Sequence, residues 1–441
     1  MNRLPLATLA MALATLPTAV FAADTVLEGS DAFGDWQQSQ PGVWRHITPG
    51  DLPEPYATQS ASNAPGLISR PDSAMPQVPA GFKVELVKDG FSGPRDMAVA
   101  PNGDLFVVDS AAEEVRVLRL REGTAEVAED AVFASEGLDR PYGVAFYPLD
   151  DPEWVYVGNA GGVVRFPYES GAMEAAGPAE TVVADIPSGG HWTRDIAFSP
   201  DGGTLYVAVG SASNIGRGQP PASVVDWAAS HALGEMWGAE EGRAAVIAFD
   251  PDGGNRRVFA TGIRNCSGLT VEPTSGTPWC VTNERDGLGD NLPPDYATSV
   301  AEGGFYGWPW YYIGANEAPR LAGQRPDLAD KVSVPDVLFQ AHSAPLNIAF
   351  YDGDLFPAEY AGDAFVTMHG SWNRGRRTGY KLVRLKFEDG KPTGAYQDFM
   401  TGFVQSADRV WGRPVGVTVL QDGSLVVSED GNGTIWRISP S

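Results

Sequence analysis

The chain repeats itself. Six segments share one outline: a short apolar strand, a Pro-Asp-Gly-type turn and a second apolar strand. They are GPRDMAVAPNGDLFVVD (93–109), RPYGVAFYPLDDPEWVYVGN (140–159), WTRDIAFSPDGGTLYVAVGS (192–211), RNCSGLTVEPTSGTPWCVTNE (264–284), APLNIAFYDGDLFPAEYAGDAFVTMHG (344–370) and GRPVGVTVLQDGSLVVSEDG (412–431). A third apolar strand often follows, as in EEVRVLRL or YKLVRLKF. Each copy is therefore a meander of about four strands, with no amphipathic helical period between them. Repeats of this size built only of strands predict radial repetition. The expected fold is all-β: a six-bladed β-propeller with four-stranded antiparallel blades, an N-terminal extension and long inter-strand loops.

The remaining stretches set the domain plan. Residues 1–22 read as a secretory signal, with Arg3 at the start, an apolar run and a small-residue exit at FAA. Residues 23–80 are an extension without sustained period, and 81–441 form the propeller. Segments 212–242 and 288–336 are insertions. The 31 basic and 56 acidic side chains give a net charge of −25, which excludes nucleic acid and anionic lipid as natural partners. No apolar run after the signal is long enough to span a membrane, so a periplasmic or secreted protein is expected. The hairpin turning near 274–277 sets Cys280 opposite about Val271, so Cys266 and Cys280 read as two buried thiols rather than a disulfide.

The repeats aim scarce cations at one place. Relative to the turn prolines 101, 148, 200 and 273, Arg95 and Arg194 stand six residues earlier. Arg140, Asn265 and, by the matching turn, Arg413 stand eight earlier; His191 and Arg264 stand nine earlier. Positions six and eight share one side of a strand, because side chains alternate with period two. Four blades thus send an arginine to the channel mouth, with a histidine beside them. Such a set repels itself unless an anion sits between. Arginine suits carboxylates, so the expected guest is a small molecule carrying several of them.

A second cluster is NERDGLGDNLPPDY (283–296). Glu284, Asp286, Asp290 and Asp295 crowd a Gly-rich loop without full EF-hand spacing, and carboxylates with carbonyls on such a loop suit Ca²⁺.

Taken together, GIRNCSGLTVEP, NERDGLGDNLPPDY, GGFYGWPW, HGSWNRGRRTGYKLVRLKF and HWTRD resemble the PQQ-dependent soluble sugar dehydrogenases, nearest the sorbosone and aldose sugar dehydrogenase branch. The resemblance covers roughly 81–440. It implies a six-bladed, periplasmic, Ca²⁺-dependent quinoprotein that oxidises a sugar, sugar aldehyde or related polyol and passes electrons to an external quinone or cytochrome. PQQ, a planar tricarboxylic quinone, matches the anion that the arginines require.

By resemblance, His191 is the general base, Arg264 and Asn265 stand at the quinone end, and Arg413 clamps a carboxylate. The second clamp position is Val415, and the aspartate that precedes the base in relatives is Gly190. On blade five Arg374, Arg376 or Arg377 replaces a lysine–arginine contact. Carbonyls near Asp286 and Gly287 would carry the bridging Ca²⁺. Trp192, Trp308, Trp310 and Trp372 stack on the sugar, cover the cofactor or pack the blades. Two other classes compete: a Ca²⁺-dependent lactonase, which needs acidic and amide ligands at the channel centre, and a binding propeller without chemistry.

Overall fold

The computed structural model describes residues 25–441; the segment 1–22 that the sequence reads as a secretory signal lies outside the described residues. Six antiparallel sheets are arranged radially. Blade one runs outward through Pro94–Val99, Leu105–Asp109, Glu114–Leu120 and Val127–Ala134. Blade two begins at Val144–Tyr147, blade three at Ile196–Phe198, blade four at Cys266–Val271 and blade five at Pro345–Phe350. Blade six takes Pro414–Val419, Leu425–Glu429 and Thr434–Pro440 from the C-terminal end, and its outer strand Phe82–Lys88 from the other. The alternating strands bury aromatic wedges between blades; Phe106, Phe133, Phe146, Phe166 and Tyr168 fill the space between the first two.

Two blades exceed four strands. Gly304–Phe305, from the long insertion, adds to blade three. Trp44–His46 and Val26–Glu28, from the extension, continue the outer edge of blade five. There Arg45 is fully buried on Asp398, which also holds Lys381 at 2.6 Å. The 212–242 insertion carries one short helix, Val224–Ser230, capped by Ser223.

The channel axis has a three-fold chemistry inside the six-fold ring. Odd blades place Asp96, Asp195 and Asn347 there, and even blades Gly143, Gly268 and Gly416. Asp96 accepts from Val144 N–H at 3.0 Å, Asp195 from Leu269 N–H at 2.7 Å, and Asn347 Oδ1 from Val417 N–H at 3.1 Å. Each polar side chain thus grips the residue after a glycine in the next blade. A Cβ on Gly143 would stand 2.6 Å from Asp195 Oδ1, and one on Gly268 2.6 Å from Asn347 Cα. Glycine is required because the odd blades approach so closely.

Cys266 and Cys280 form a disulfide, which corrects the expectation of two thiols. The hairpin register sets Cys280 opposite Leu269, not Val271. An irregularity between Cys266 and Gly268 displaces Cys266 to the partner of Thr282, two residues along from Cys280, and the Cys266 and Cys280 Cα atoms are 5.3 Å apart. A bulge, invisible to turn counting, brings the sulfurs into range.

Candidate active site

The loops leading into the innermost strands meet at one end of the channel. His191 lies there, mostly buried. Its Nδ1 is 2.8 Å from the Ser211 carbonyl, which also accepts the His191 main-chain N–H. A carbonyl only accepts, so Nδ1 carries the proton and Nε2 presents a lone pair. Burial, and then the nearby Arg264 guanidinium, lower its pKa to about 4. The ring therefore stays neutral at ordinary pH. Gly190 has φ +73°, and a Cβ there would stand 2.5 Å from the Ala212 carbonyl. A side chain at position 190 is thus sterically excluded, and Ser211 holds the His191 ring.

Asn265 lies against His191. A Cβ on Gly210 would meet Asn265 Oδ1 and stand 2.6 Å from His191 Cβ, so the two side chains flank that glycine. Asn265 Nδ2 donates to Asn283 Oδ1 at 3.2 Å, while its own Oδ1 is buried without a partner. Arg264 is buried and fixed at three points: Nε to the Asn214 carbonyl, one terminal nitrogen to Asn214 Oδ1 and the other to the Asn283 carbonyl.

Across the mouth, Arg413 makes one side-chain hydrogen bond among the described residues, from Nε to the His369 carbonyl at 3.3 Å. Arg95 pairs with Asp430 at 3.1 Å, and its Nε is buried without a partner. His369 Nε2 lies 2.8 Å from Asp430 Oδ1. Burial opposes charge on Asp430, but His369 and the arginines outweigh it and hold its pKa well below the usual range. Burial lowers His369 to about 4. The pair is thus a neutral imidazole donating to a carboxylate. Trp192, half-buried, carries both Arg95 and Arg140 over its ring, at 5.7 and 5.5 Å.

Two expected arginines are placed elsewhere. Arg194 is fully buried, and its terminal nitrogens bond the carbonyls of Pro187, His191 and Thr193. It braces the loop that carries His191 from below. Burial lowers its pKa to about 9. Arg374 bonds the carbonyls of Phe33, Gly34 and Asp290, and Arg377 bonds those of Asn63 and Ala64. Arg376 reaches Asp35. All three blade-five arginines therefore anchor the extension. The repeat spacing placed Arg194 by strand parity, yet its side chain turns under the loop because carbonyls there need donors.

The acidic loop also divides. Asp286 faces the site, its Oδ1 3.3 Å from His342 Nδ1, while His342 Nε2 meets the Gly289 carbonyl at 2.9 Å. Burial opposes charge on His342, but Asp286 and that carbonyl raise its pKa. Asp290 turns outward: its Oδ1 accepts from Gly375 N–H, and its main-chain N–H donates to Thr58 Oγ1. Glu284 is buried against Arg285 N–H, and burial lifts it to about 7. Asp295 caps the main chain at Glu284 and Ala344. Among the described residues no three acidic, histidine or cysteine side chains gather as a ligand set. A divalent cation here would rely on Asp286 and main-chain oxygens at 286–287, and Asn214 and Arg285 now donate to the Asp286 carbonyl at 3.2–3.3 Å.

The channel centre does carry acids and an amide. Their oxygens are occupied: Asp195 accepts from Ile196 and Leu269, Asp96 from Val144 and Asn347, and Asn347 from Val417. They close the ring rather than offer a lactonase ligand set. Trp308 and Trp310 are buried packing residues.

His369, Asp430, Asn283 and Ser211 were not singled out by the repeat alignment, which used only residues entering the first strand. The missed residues follow the second strand. Main-chain bonds join the two sets: Asn283 N–H to Asn265 O, Asp430 N–H to Arg413 O, Ser211 N–H to Arg264 O. The polar residues ending each second repeat strand, in TNE, MHG and SEDG, carried that signal.

Comparison with known proteins agrees with this architecture. The TrAA12-like family model matches residues 76–298 and 325–441. The chain is 32% identical over 205 residues to an uncharacterized protein of Borreliella burgdorferi, a match covering 44% of this chain and about half (52%) of that protein. It is 25% identical over 411 residues to the pyrroloquinoline quinone-dependent sugar dehydrogenase of Hypocrea jecorina, covering 82% of this chain and 88% of that one. The calcium structure of the Trichoderma reesei Carbohydrate-Active Enzymes Family AA12 protein superposes with a TM-score of 0.68 at 23% identity, covering 85% of this chain and 99% of that one.

Proposed function

The chain belongs to the TrAA12-like family, and from that premise we propose that it is a PQQ-dependent, Ca²⁺-assisted oxidoreductase of a sugar, sugar aldehyde or related polyol, working in the periplasm or outside the cell. The observation that carries this reading is a neutral His191, with its Nε2 lone pair free, set against Asn265 in a mouth flanked by Arg95 and Arg413. The residues fit a planar polycarboxylate: Arg413 has spare donors, and Arg95 Nε and Asn265 Oδ1 are buried polar atoms without partners. The Hypocrea relative is named for PQQ, and the Trichoderma structure for calcium.

PQQ, when bound, supplies a quinone that accepts a hydride. This chain's residues do the rest. Arg413 and Arg95 would hold carboxylates, with Trp192 beside them. Asn265 and Arg264 would stand at the quinone end, where a fixed cation favours developing negative charge. Asp286 and the main chain of Gly287 would hold Ca²⁺. His191 Nε2 would take the substrate hydroxyl proton, with Nδ1–H kept on Ser211 so that the ring need not turn.

The test is reconstitution. Adding PQQ and Ca²⁺ to the purified protein should change the absorption spectrum and allow a dye acceptor to be reduced by at least one member of a sugar panel. EDTA should remove that activity and Ca²⁺ restore it. No spectral change at saturating PQQ and Ca²⁺ would overturn the reading.

A further inference from the structure

One side chain outside the repeats touches both halves of the candidate site. Asn214 lies near the start of the 212–242 insertion and is half-buried. Its Oδ1 accepts from Arg264 at 3.1 Å and from Asp286 N–H at 2.8 Å. Its Nδ2 donates to the Asp286 carbonyl at 3.3 Å, and its own carbonyl accepts from Arg264 Nε at 3.0 Å. Two definite donors meet Oδ1, so its partners settle which way the amide faces. Asn214 thus supplies two of the three anchors on the Arg264 guanidinium and bonds both main-chain polar groups of Asp286. A primary amide suits the task, because it offers an acceptor and a donor side by side. A carboxylate would lack the donor, and a hydroxyl has one oxygen for both roles.

The segment is held in place without that amide. Gly216 packs on the corner at Trp308 and Pro309, where a Cβ would stand 2.7 Å from Pro309. Trp308 Nε1 donates to the Asn214 carbonyl at 3.3 Å. On the other side the buried Glu240 accepts from Ala212 N–H at 2.7 Å and from Ser213 Oγ at 2.5 Å. Ser211, three residues before Asn214, holds the His191 ring. The Asn214 side chain is therefore left to link the site. One oxygen serves both partners, so the aim of Arg264 depends on where the acidic loop lies. A cation that takes the Asp286 carbonyl competes for it with Asn214 Nδ2.

We propose that Asn214 is a positioning residue that joins Arg264 to the acidic loop, so that one amide sets both the aim of the quinone-end cation and the affinity for the metal. This rests on the PQQ- and Ca²⁺-dependent reading above. The test measures the reduction potential of bound PQQ, with kcat and KM, in Asn214→Ala, Arg264→Ala and the double variant. A well-aimed cation favours the reduced cofactor, on which negative charge develops. Asn214→Ala should therefore lower the potential, in the same direction as Arg264→Ala. It should lower kcat about 10- to 100-fold, less than the loss of a charge-stabilising donor itself, with KM little changed. It should add nothing once Arg264 is gone. An unchanged potential, or equal shifts in both backgrounds, overturns the link to Arg264. The link to the loop is read by calorimetric Ca²⁺ binding to the cofactor-free protein. Asn214→Asp keeps the shape, turns the donor at the Asp286 carbonyl into an anionic oxygen, and should tighten Ca²⁺ about five-fold or more, the pull of one charge at contact distance in water. If PQQ does not bind, the functional reading fails by itself, and this titration decides. Tighter Ca²⁺ in Asn214→Asp supports the positioning role, and unchanged affinity or no binding overturns it.

Discussion

Asp430 accepts a 2.8 Å hydrogen bond from His369 Nε2 while its other oxygen lies 3.1 Å from Arg95. The repelling arginines of the channel mouth thus share one internal anion. Asp430→Ala should destabilise the fold by about 3–5 kcal/mol, the cost of breaking a buried pair, read from denaturant midpoints. The folded pKa of Asp430 is depressed, so its contribution is complete above the unfolded value near 3.8 and lost as pH falls below it. The difference between parent and variant should therefore be constant from pH 5 to 8 and shrink in strong acid.

His191→Ala should lower kcat about 100-fold or more, with PQQ affinity little changed. With the ring's pKa near 4, kcat/KM should hold its value as pH falls through 6.5 and decline only toward pH 4. An acid limb at 6.5, or full turnover in the variant, would assign proton removal to another group.

Arg413 and Arg194 separate binding from bracing. Arg413→Ala should weaken PQQ by about 10- to 150-fold, the value of a lost charge-assisted bond, with turnover rescued by excess PQQ. Arg194→Ala should instead lower thermal stability, because three carbonyls lose their donor. A PQQ titration that moves equally in both variants would contradict this division.

Asp96 is buried, and burial raises its carboxyl to about 6. The folded state therefore holds a proton there that the unfolded chain gives up near 3.8. That stabilisation is present below the unfolded value and is lost as pH rises through 6. Asp96→Asn should flatten the slope of Tm against pH between 4 and 6. An unchanged slope would place the proton elsewhere.

Cys280→Ser should cost about 3 kcal/mol, the expectation for a loop of about 15 residues. Thiol titration of the unfolded parent protein should find no free cysteine without reductant.

The blades were legible because each repeats a strand–turn–strand outline, and the repeat pointed to His191 and Arg264 nine residues before the turn and to Asn265 and Arg413 eight before it. Arg194, six before its turn, has the same strand parity as the residues eight before theirs, yet local carbonyls claimed its donors, and spacing carries no information about competing partners. His369 and Asp430 come from a position the alignment did not follow. The disulfide depended on a bulge. Asp290 looked like a ligand because it is acidic and close in sequence, but its carboxylate accepts from Gly375 N–H of the blade-five loop while its main-chain N–H donates to Thr58 of the extension.

Phe82–Lys88 pairs with Thr434–Pro440, and Ser441 N–H bonds the Gly81 carbonyl at 2.9 Å. The ring is thus a necklace whose clasp is one ladder of main-chain hydrogen bonds, seven residues on each side. Blade five also takes edge strands from the extension, but only in blade six does a strand from one end of the propeller complete the four-stranded core begun at the other. Heat or force should find the clasp first. A copy whose clasp has opened offers a vacant strand position that a neighbour's Phe82–Lys88 fits, so partial unfolding at high concentration should yield interlinked dimers before it yields disordered aggregate.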